Sequence, residues 1–149
     1  MYKRQYECRT LINLPIDKVS LLWADENHFK EWQDGFQSIE LLSGIANKKG
    51  AKSKIVLDGE HYIELIETIL ISDLPKEKKA LYEHKHMTNT QHTKFVEKGA
   101  TQTEFISEVE YTQFNGFMIK IMAKLFPGKF KAQRQKWMDQ FKVFAESKL

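Results

Sequence analysis

Glu67 is the residue whose placement most suggests chemistry. By the two-residue period of a strand it shares a face with Ile63, Leu65, Ile69 and Ile71. A carboxylate on an apolar face is costly unless paired or hydrogen-bonded, so the position predicts either a partner or a task. In a dry pocket its pKa would rise, which suits a general acid or base, or an acceptor that orients a ligand hydroxyl. The structural expectation is a β-bulge that turns Glu67 to solvent, or a pair with a Lys or Arg.

Other reactive residues are less well placed. His84 and His86 lie two apart on one strand face, with His92 near in sequence. A metal site would need a third converging ligand, and no H-x-x-x-H, C-x-x-C or carboxylate cluster supplies it. They read as exposed histidines, and no cofactor is expected. Cys8 is the only cysteine, which excludes an internal disulfide and a cysteine-rich metal site. It sits mid-strand with no His near it in sequence, as an inert buried thiol does. There is no G-x-S-x-G elbow and no glycine-rich phosphate loop. Gly44, Gly50 and Gly59 are isolated turn residues.

The elements that must position these groups follow from periodicity. Tyr2 to Asn13 alternates, with Tyr6, Cys8, Thr10 and Ile12 on one side, and ends at Leu14-Pro15. Pro15 suits the first turn of a helix that runs through Val19, Leu22 and Trp23. Asp25-Glu26-Asn27 breaks it, and a second short helix spans about Asn27 to Gln33. Strands are predicted at Ser38–Ser43, Ala51–Leu57, His61–Ile71, Ala80–Met87, Thr93–Glu97 and Thr101–Tyr111. A hairpin is expected at Asp58-Gly59 and a polar turn at Leu74–Lys79. Phe114 to Leu149 reads as one long helix whose apolar face carries Phe117, Ile121, Leu125, Phe130, Trp137, Phe141 and Phe144. Lys120, Lys124, Lys129, Lys131, Lys136, Lys142 and Lys148 occupy the other face. Phe126-Pro127-Gly128 predicts a kink or a break. The first strand pairs with either the last or the second. The result is one α+β domain, residues 1–149, with a curved antiparallel sheet wrapped around the long helix.

At 149 residues with 42% hydrophobic content the chain can bury a core of its own. The net charge of +3 is uneven: eight basic residues from Gly116 onward face only Asp139 and Glu146. That helix could meet an acidic membrane surface, an RNA or a protein, although the simpler reading is a solvated face. No sequence-specific nucleic acid is expected. No signal-peptide core and no run of about 20 apolar residues is present, so the expectation is a soluble, cytoplasmic protein.

The element order resembles the helix-grip fold of the SRPBCC superfamily: START domains, birch-pollen-allergen-like proteins, and polyketide cyclase/dehydrase and lipid-transport proteins. Ile12-Asn13-Leu14-Pro15-Ile16-Asp17-Lys18-Val19 is similar to that family's I-x-A-P-x-x-x-V motif, with Leu14 where Ala is usual. Asn27 to Trp32 resembles its second helix. Glu67-Thr68-Ile69 followed by Leu74-Pro75 resembles its strand and Pro turn, and Phe141–Glu146 its F-K-x-x-x-E tail. The resemblance spans the chain and speaks for fold more than for activity. It implies an elongated, mostly apolar cavity between the concave sheet and the C-terminal helix. Candidate lining residues from the first half are Tyr6, Cys8, Trp32, Phe36, Ile55, Leu57, Leu65 and Glu67. From the second half they are Phe105, Ser107, Val109, Phe117, Ile121 and Leu125.

Binding or transport of a hydrophobic or amphipathic ligand (lipid, isoprenoid or polyketide-like) is the reading placed first, with Glu67, Tyr6 and Ser107 orienting it. The loop at Asp34-Gly35 or the basic helix would gate access. The alternatives are a cyclase- or dehydratase-type enzyme using Glu67 with a tyrosine, and an interaction protein docking through its basic helix on a membrane or partner.

Overall fold

The computed structural model describes residues 5–125 and 127–148, the side chains of 122, 123, 125 and 127 excepted. Strand β1 (Gln5–Ile12) is followed by helix α1 (Ile16–Ala24), a 3-10 turn (Glu26–His28) and the single helical turn α2 (Phe29–Trp32). Six strands come next: β2 (Phe36–Ser43), β3 (Lys52–Asp58), β4 (Tyr62–Asp73), β5 (Glu77–His84), β6 (Met87–Gly99) and β7 (Gln102–Phe114). Helices α3 (Phe117–Leu125) and α4 (Pro127–Glu146) end the order. All strands form one open, curved antiparallel sheet in the order β1-β7-β6-β5-β4-β3-β2. The first strand therefore pairs with the last, one of the two arrangements the sequence left open.

Alternation along the strands assigns the faces. Cys8, Thr10 and Ile12 of β1 are buried while Glu7, Arg9 and Leu11 are exposed. Register carries the buried side across the sheet: Thr10 faces Phe105, and Phe105 faces Phe95. Helix α4 lies over this half, with Met138, Phe141 and Ala145 fully buried against Cys8, Ile12, Leu14 and Phe105. Phe141 stands edge-on to both Trp32 (5.3 Å between ring centroids) and Phe105 (5.6 Å). Polar contacts then lock α4 along β1. The Thr10 hydroxyl donates to Asp139 (3.1 Å), and Lys142 Nζ donates to the Leu11 carbonyl (2.7 Å). The Asn13 amide donates to Glu146 (2.8 Å).

The C-terminal helix divides where a kink or break is expected, and four other features depart from the periodicity reading. The long C-terminal helix is two helices: α3 ends at Leu125 and α4 starts at Pro127, which has no amide to lose at a first helical position. Phe126 of the predicted kink lies outside the described residues. Phe114 belongs to β7, and Gly116, at φ +97°, takes the left-handed turn into α3. The polar turn is shorter than expected, because β5 already begins at Glu77 and so makes Lys78 a strand residue. Strand β6 begins at Met87 rather than at Thr93. A register shift between Ile69 and Ile71 also moves Ile71 opposite Lys79, off the face that Leu65, Glu67 and Ile69 share.

Two loops are pinned by close contacts. Gly35, at φ +78°, lies so near the β3–β4 hairpin that a Cβ there would sit 2.5 Å from the Gly59 nitrogen. Asp34 also pairs with Lys136 of α4 at 3.1 Å. At the β5–β6 hairpin the His86 amide donates to His84 Nδ1 (3.3 Å), and the two rings meet edge to face.

These contacts can be tested by stability and titration. Phe141→Ala removes a side chain with no solvent exposure from the aromatic cluster and should lower urea stability by about 3–5 kcal/mol. Val143→Ala, at 72% exposure on the same helix, should stay within about 0.5 kcal/mol; equal effects would contradict the packing described. Burial, and then the neighbouring His86 and Lys85 charges, hold the His84 pKa below the ordinary 6.5. The unfolded chain thus takes up this proton first, so the site's contribution to stability is present above about pH 6.5 and declines as pH falls through the folded value. An NMR titration should place the His84 midpoint below 6.5, and His86→Gln should move it only part of the way back.

Candidate functional site

Helix α4 rests on the β1–β7 half of the sheet, and the concave face beyond it is roofed by the end of α1, by α2 and by two side chains of α4. A cavity of about 120 Å³ remains beneath that roof. Its apolar wall is built from Trp23, Phe29, Trp32 and Trp137 above and from Ile55, Leu57 and Leu65 below. All three tryptophans of the chain are on this wall. Its polar side is made by Glu67, Lys78, Tyr82, Asn89, Gln91 and Arg134.

Glu67 is the centre of the polar side. It faces inward, 6% exposed, and stands directly opposite Ser53 on one neighbouring strand and Tyr82 on the other. The Tyr82 hydroxyl donates to Glu67 Oε2 at 2.7 Å, and Lys78 Nζ lies 3.8 Å from the same oxygen. Oε1 has no hydrogen-bond partner among the described residues. Burial raises the Tyr82 pKa well above its ordinary value, and the Glu67 charge and hydrogen bond raise it further. The phenol therefore stays protonated and commits its proton to the carboxylate. Lys78 reaches this point from β5, where residues 78, 80 and 82 alternate inward, and its ammonium also sits 5.6 Å from the Trp23 ring centroid.

Arg134 enters from α4, one turn before Trp137 and Met138. It is half-buried, and among the described residues it has no hydrogen bond and no ion pair. Its positive charge nevertheless acts on four buried groups, lowering the pKa values of Tyr6, Cys8, Tyr82 and Tyr111 against the larger effect of burial, which raises each of them. Tyr6 and Tyr111 form a second phenol pair, 3.4 Å between oxygens, and the Tyr6 hydroxyl also reaches the Phe130 carbonyl at 3.3 Å.

Of the residues the sequence suggested, the structure brings Trp32, Phe36, Ile55, Leu57, Leu65 and Glu67 together at the cavity. Cys8 and Phe105 are instead packed into the main core. The Cys8 thiol, its pKa raised by burial, points at the Lys131 carbonyl (3.7 Å). Tyr6 and Val109 belong to a smaller cluster with Tyr111 and Phe114. Ser107 is buried opposite Cys8, and its hydroxyl has no partner among the described residues. Phe117 is corrected outright: on α3 it is Ile119 that packs against the Val109, Tyr111 and Phe114 cluster of β7, and the Phe117 ring is 76% exposed. Ile121 is half-buried on the same helix, away from the cavity wall. The side chain of Leu125 lies outside the described residues. The histidines stay apart: His84 and His86 meet at the hairpin, while His92 pairs with Glu77 (3.1 Å) on the convex face.

Periodicity alone did not assemble Lys78, Tyr82, Asn89, Gln91 and Arg134 into a site. A signal existed for Arg134, because it falls in the α4 stripe of Phe130, Trp137, Met138 and Phe141 at helical spacing. It is a charge inside an apolar pattern, as Glu67 is. A wider, more open depression of about 420 Å³ lies over Glu7, Lys79, His92 and Glu108. Glu7 and Glu108 there already pair with neighbours, Arg9 with Glu7 at 3.0 Å and Lys94 with Glu108 at 2.8 Å, as a solvated surface ladder does.

Among the described residues no helix is long and apolar enough to cross a membrane. Neither a protein-family model nor a curated protein matches the sequence. Solved structures do match in shape. An aromatase/cyclase from Streptomyces sp. R1128 superposes with a TM-score of 0.79 at 10% identity, covering 96% of this chain and 93% of that one. A conserved protein from Geobacillus kaustophilus gives 0.79 at 13% identity, over 96% and 95% of the two chains. A protein from Thermus thermophilus gives 0.76 at 12%, over 96% and 97%. These likenesses show the fold, a seven-stranded antiparallel sheet gripping a C-terminal helix: this chain has the helix-grip fold.

Proposed function

We propose that this protein binds a small, largely apolar ligand in the cavity between β3–β6, α2 and α4. The observation that carries the reading is Glu67: a buried carboxylate whose Oε2 is satisfied by Tyr82 and whose Oε1 has no partner among the described residues, beside an aromatic wall. Apolar walls supply affinity, and the free oxygen selects and orients a ligand that carries a hydroxyl or N–H donor. Size narrows the class. An engineered cavity of about 150 Å³ takes up benzene, so a cavity of about 120 Å³ suits a single ring or a short branched chain better than a full acyl chain. The aromatase/cyclase among the structural neighbours is consistent with a ring-bearing ligand.

Native mass spectrometry of the purified protein, compared with its denatured spectrum, tests this directly. A co-purifying small molecule is the expected result, and Leu65→Trp, which fills the cavity from β4, should abolish its retention. An empty protein that also ignores a panel of single-ring compounds would sink the reading. Glu67→Gln keeps an acceptor for Tyr82 but turns a charged hydrogen bond to the ligand into a neutral one. It should weaken binding about tenfold, about 1.4 kcal/mol, with little change in thermal stability.

One observation favours a second reading, an acid/base enzyme of dehydratase or cyclase type. Tyr82 and Lys78 both converge on Glu67, giving a carboxylate, a phenol and an ammonium within one wall. A dehydratase would release from wild type a molecule lighter by one water than the one released from Glu67→Gln, and a cyclase that loses no water would release an isomer of different chromatographic retention. Identical mass and retention would leave binding alone.

A further inference from the structure

Arg134 is the charged group in this cavity that no described residue satisfies. A guanidinium offers five donors and stays charged at any ordinary pH. Half-buried with no acceptor, it is in a costly position. The acidic residue nearest to hand on the cavity wall does not relieve it: Glu67 takes its hydrogen bond from Tyr82 and its counter-charge from Lys78. Asp139, one turn further along α4, is engaged by Thr10 and Gln135. The neutral wall residues Asn89 and Gln91 make no side-chain hydrogen bond to Arg134 either. Formal charge on the cavity wall is thus two cations, Lys78 and Arg134, against the one carboxylate of Glu67.

We propose that the ligand is an anion, a carboxylate on a single-ring body, and that Arg134 is the residue that receives it. The inference rests on the cavity reading above and specifies its ligand class. The planar fork of the guanidinium matches both oxygens of a carboxylate. The ring would lie against Trp23, Trp32 and Trp137, which form the wall from which Arg134 projects. Arg134 and Trp137 are three residues apart on α4, so the anion seat and one aromatic wall come from one helix face. Binding would complete the electrostatics of the site: two cations and two carboxylates, with no charge left over.

The test uses 4-hydroxyphenylacetate and its neutral isostere 4-hydroxyphenylacetamide, each with a phenol able to donate to Glu67, titrated into the full-length protein and followed by the indole N–H signals of the three tryptophans. The acid should bind at least tenfold tighter than the amide and move those signals. In Arg134→Met the acid should fall to the level of the amide, while amide affinity holds. Lys129→Gln, exposed on the same helix, should leave the acid-to-amide ratio unchanged. If acid and amide bind wild type equally well, the anion proposal is overturned while the cavity reading stands. If neither moves the indole signals, both fail together. Should Arg134→Met not fold, Arg134→Lys keeps the charge without the fork and should lower the ratio; a ratio unchanged in that variant overturns the role given to Arg134. The wild-type comparison decides without any variant.

Discussion

The arrangement depends on where α4 is allowed to lie. Its buried stripe of Met138, Phe141 and Ala145 fits the β1–β7 half of the sheet, where Cys8, Ile12 and Phe105 offer small and large side chains in alternation. Hydrogen bonds from Thr10, Asn13 and Lys142 then fix it along β1. A helix fixed over one half of a curved sheet leaves the other half to be covered by other means. Here that cover is α2 and the tryptophans, which roof the space without filling it. The cavity is a geometric remainder of the way the core is packed.

That origin explains the chemistry of its walls. Close to α4 the inward positions are apolar or carry small uncharged hydroxyls, Thr10, Thr103 and Ser107. Beyond it, the inward positions of β5 and β6 are Lys78, Tyr82, Asn89 and Gln91, which an ordinary core would reject. Tyr82 and Lys78 meet Glu67 and make the carboxylate tolerable, with a phenol kept protonated by burial and by the charge it serves. The polar network is therefore compact and nearly self-sufficient, with Arg134 the exception.

Periodicity served well wherever a segment has one wet face and one dry face. β1 alternates cleanly and β7 does so apart from Ile106, buried between Phe105 and Ser107, which made the core half of the fold legible. It failed where the inner face is itself polar. Met87 to Gln91 shows no apolar alternation, because Asn89 and Gln91 line the cavity, and so the first part of β6 went unseen. Lys78 read as a turn residue for the same reason. Glu67 was legible because its neighbours on the face are aliphatic and make a charge conspicuous. Arg134 carried the same signature on a helix but was hidden among the many lysines of that segment. Phe117 misled in the opposite sense: its spacing continued the stripe, but α4 begins only at Pro127, and on α3 it is Ile119 rather than Phe117 that packs against the sheet.

The sheet has two unequal borders. β1 is sheltered by α4, whereas β2 forms the far edge with most of its residues exposed, Leu41 and Leu42 among them. Register shifts interrupt its pairing with β3 between Phe36 and Ser38 and again between Leu41 and Ser43. Only the four residues from Ser38 to Leu41 run in unbroken register, too short and too bent a template for a foreign strand to lengthen the sheet. The irregularities in β2 thus act as a terminator, letting an open sheet end in water without inviting polymerisation.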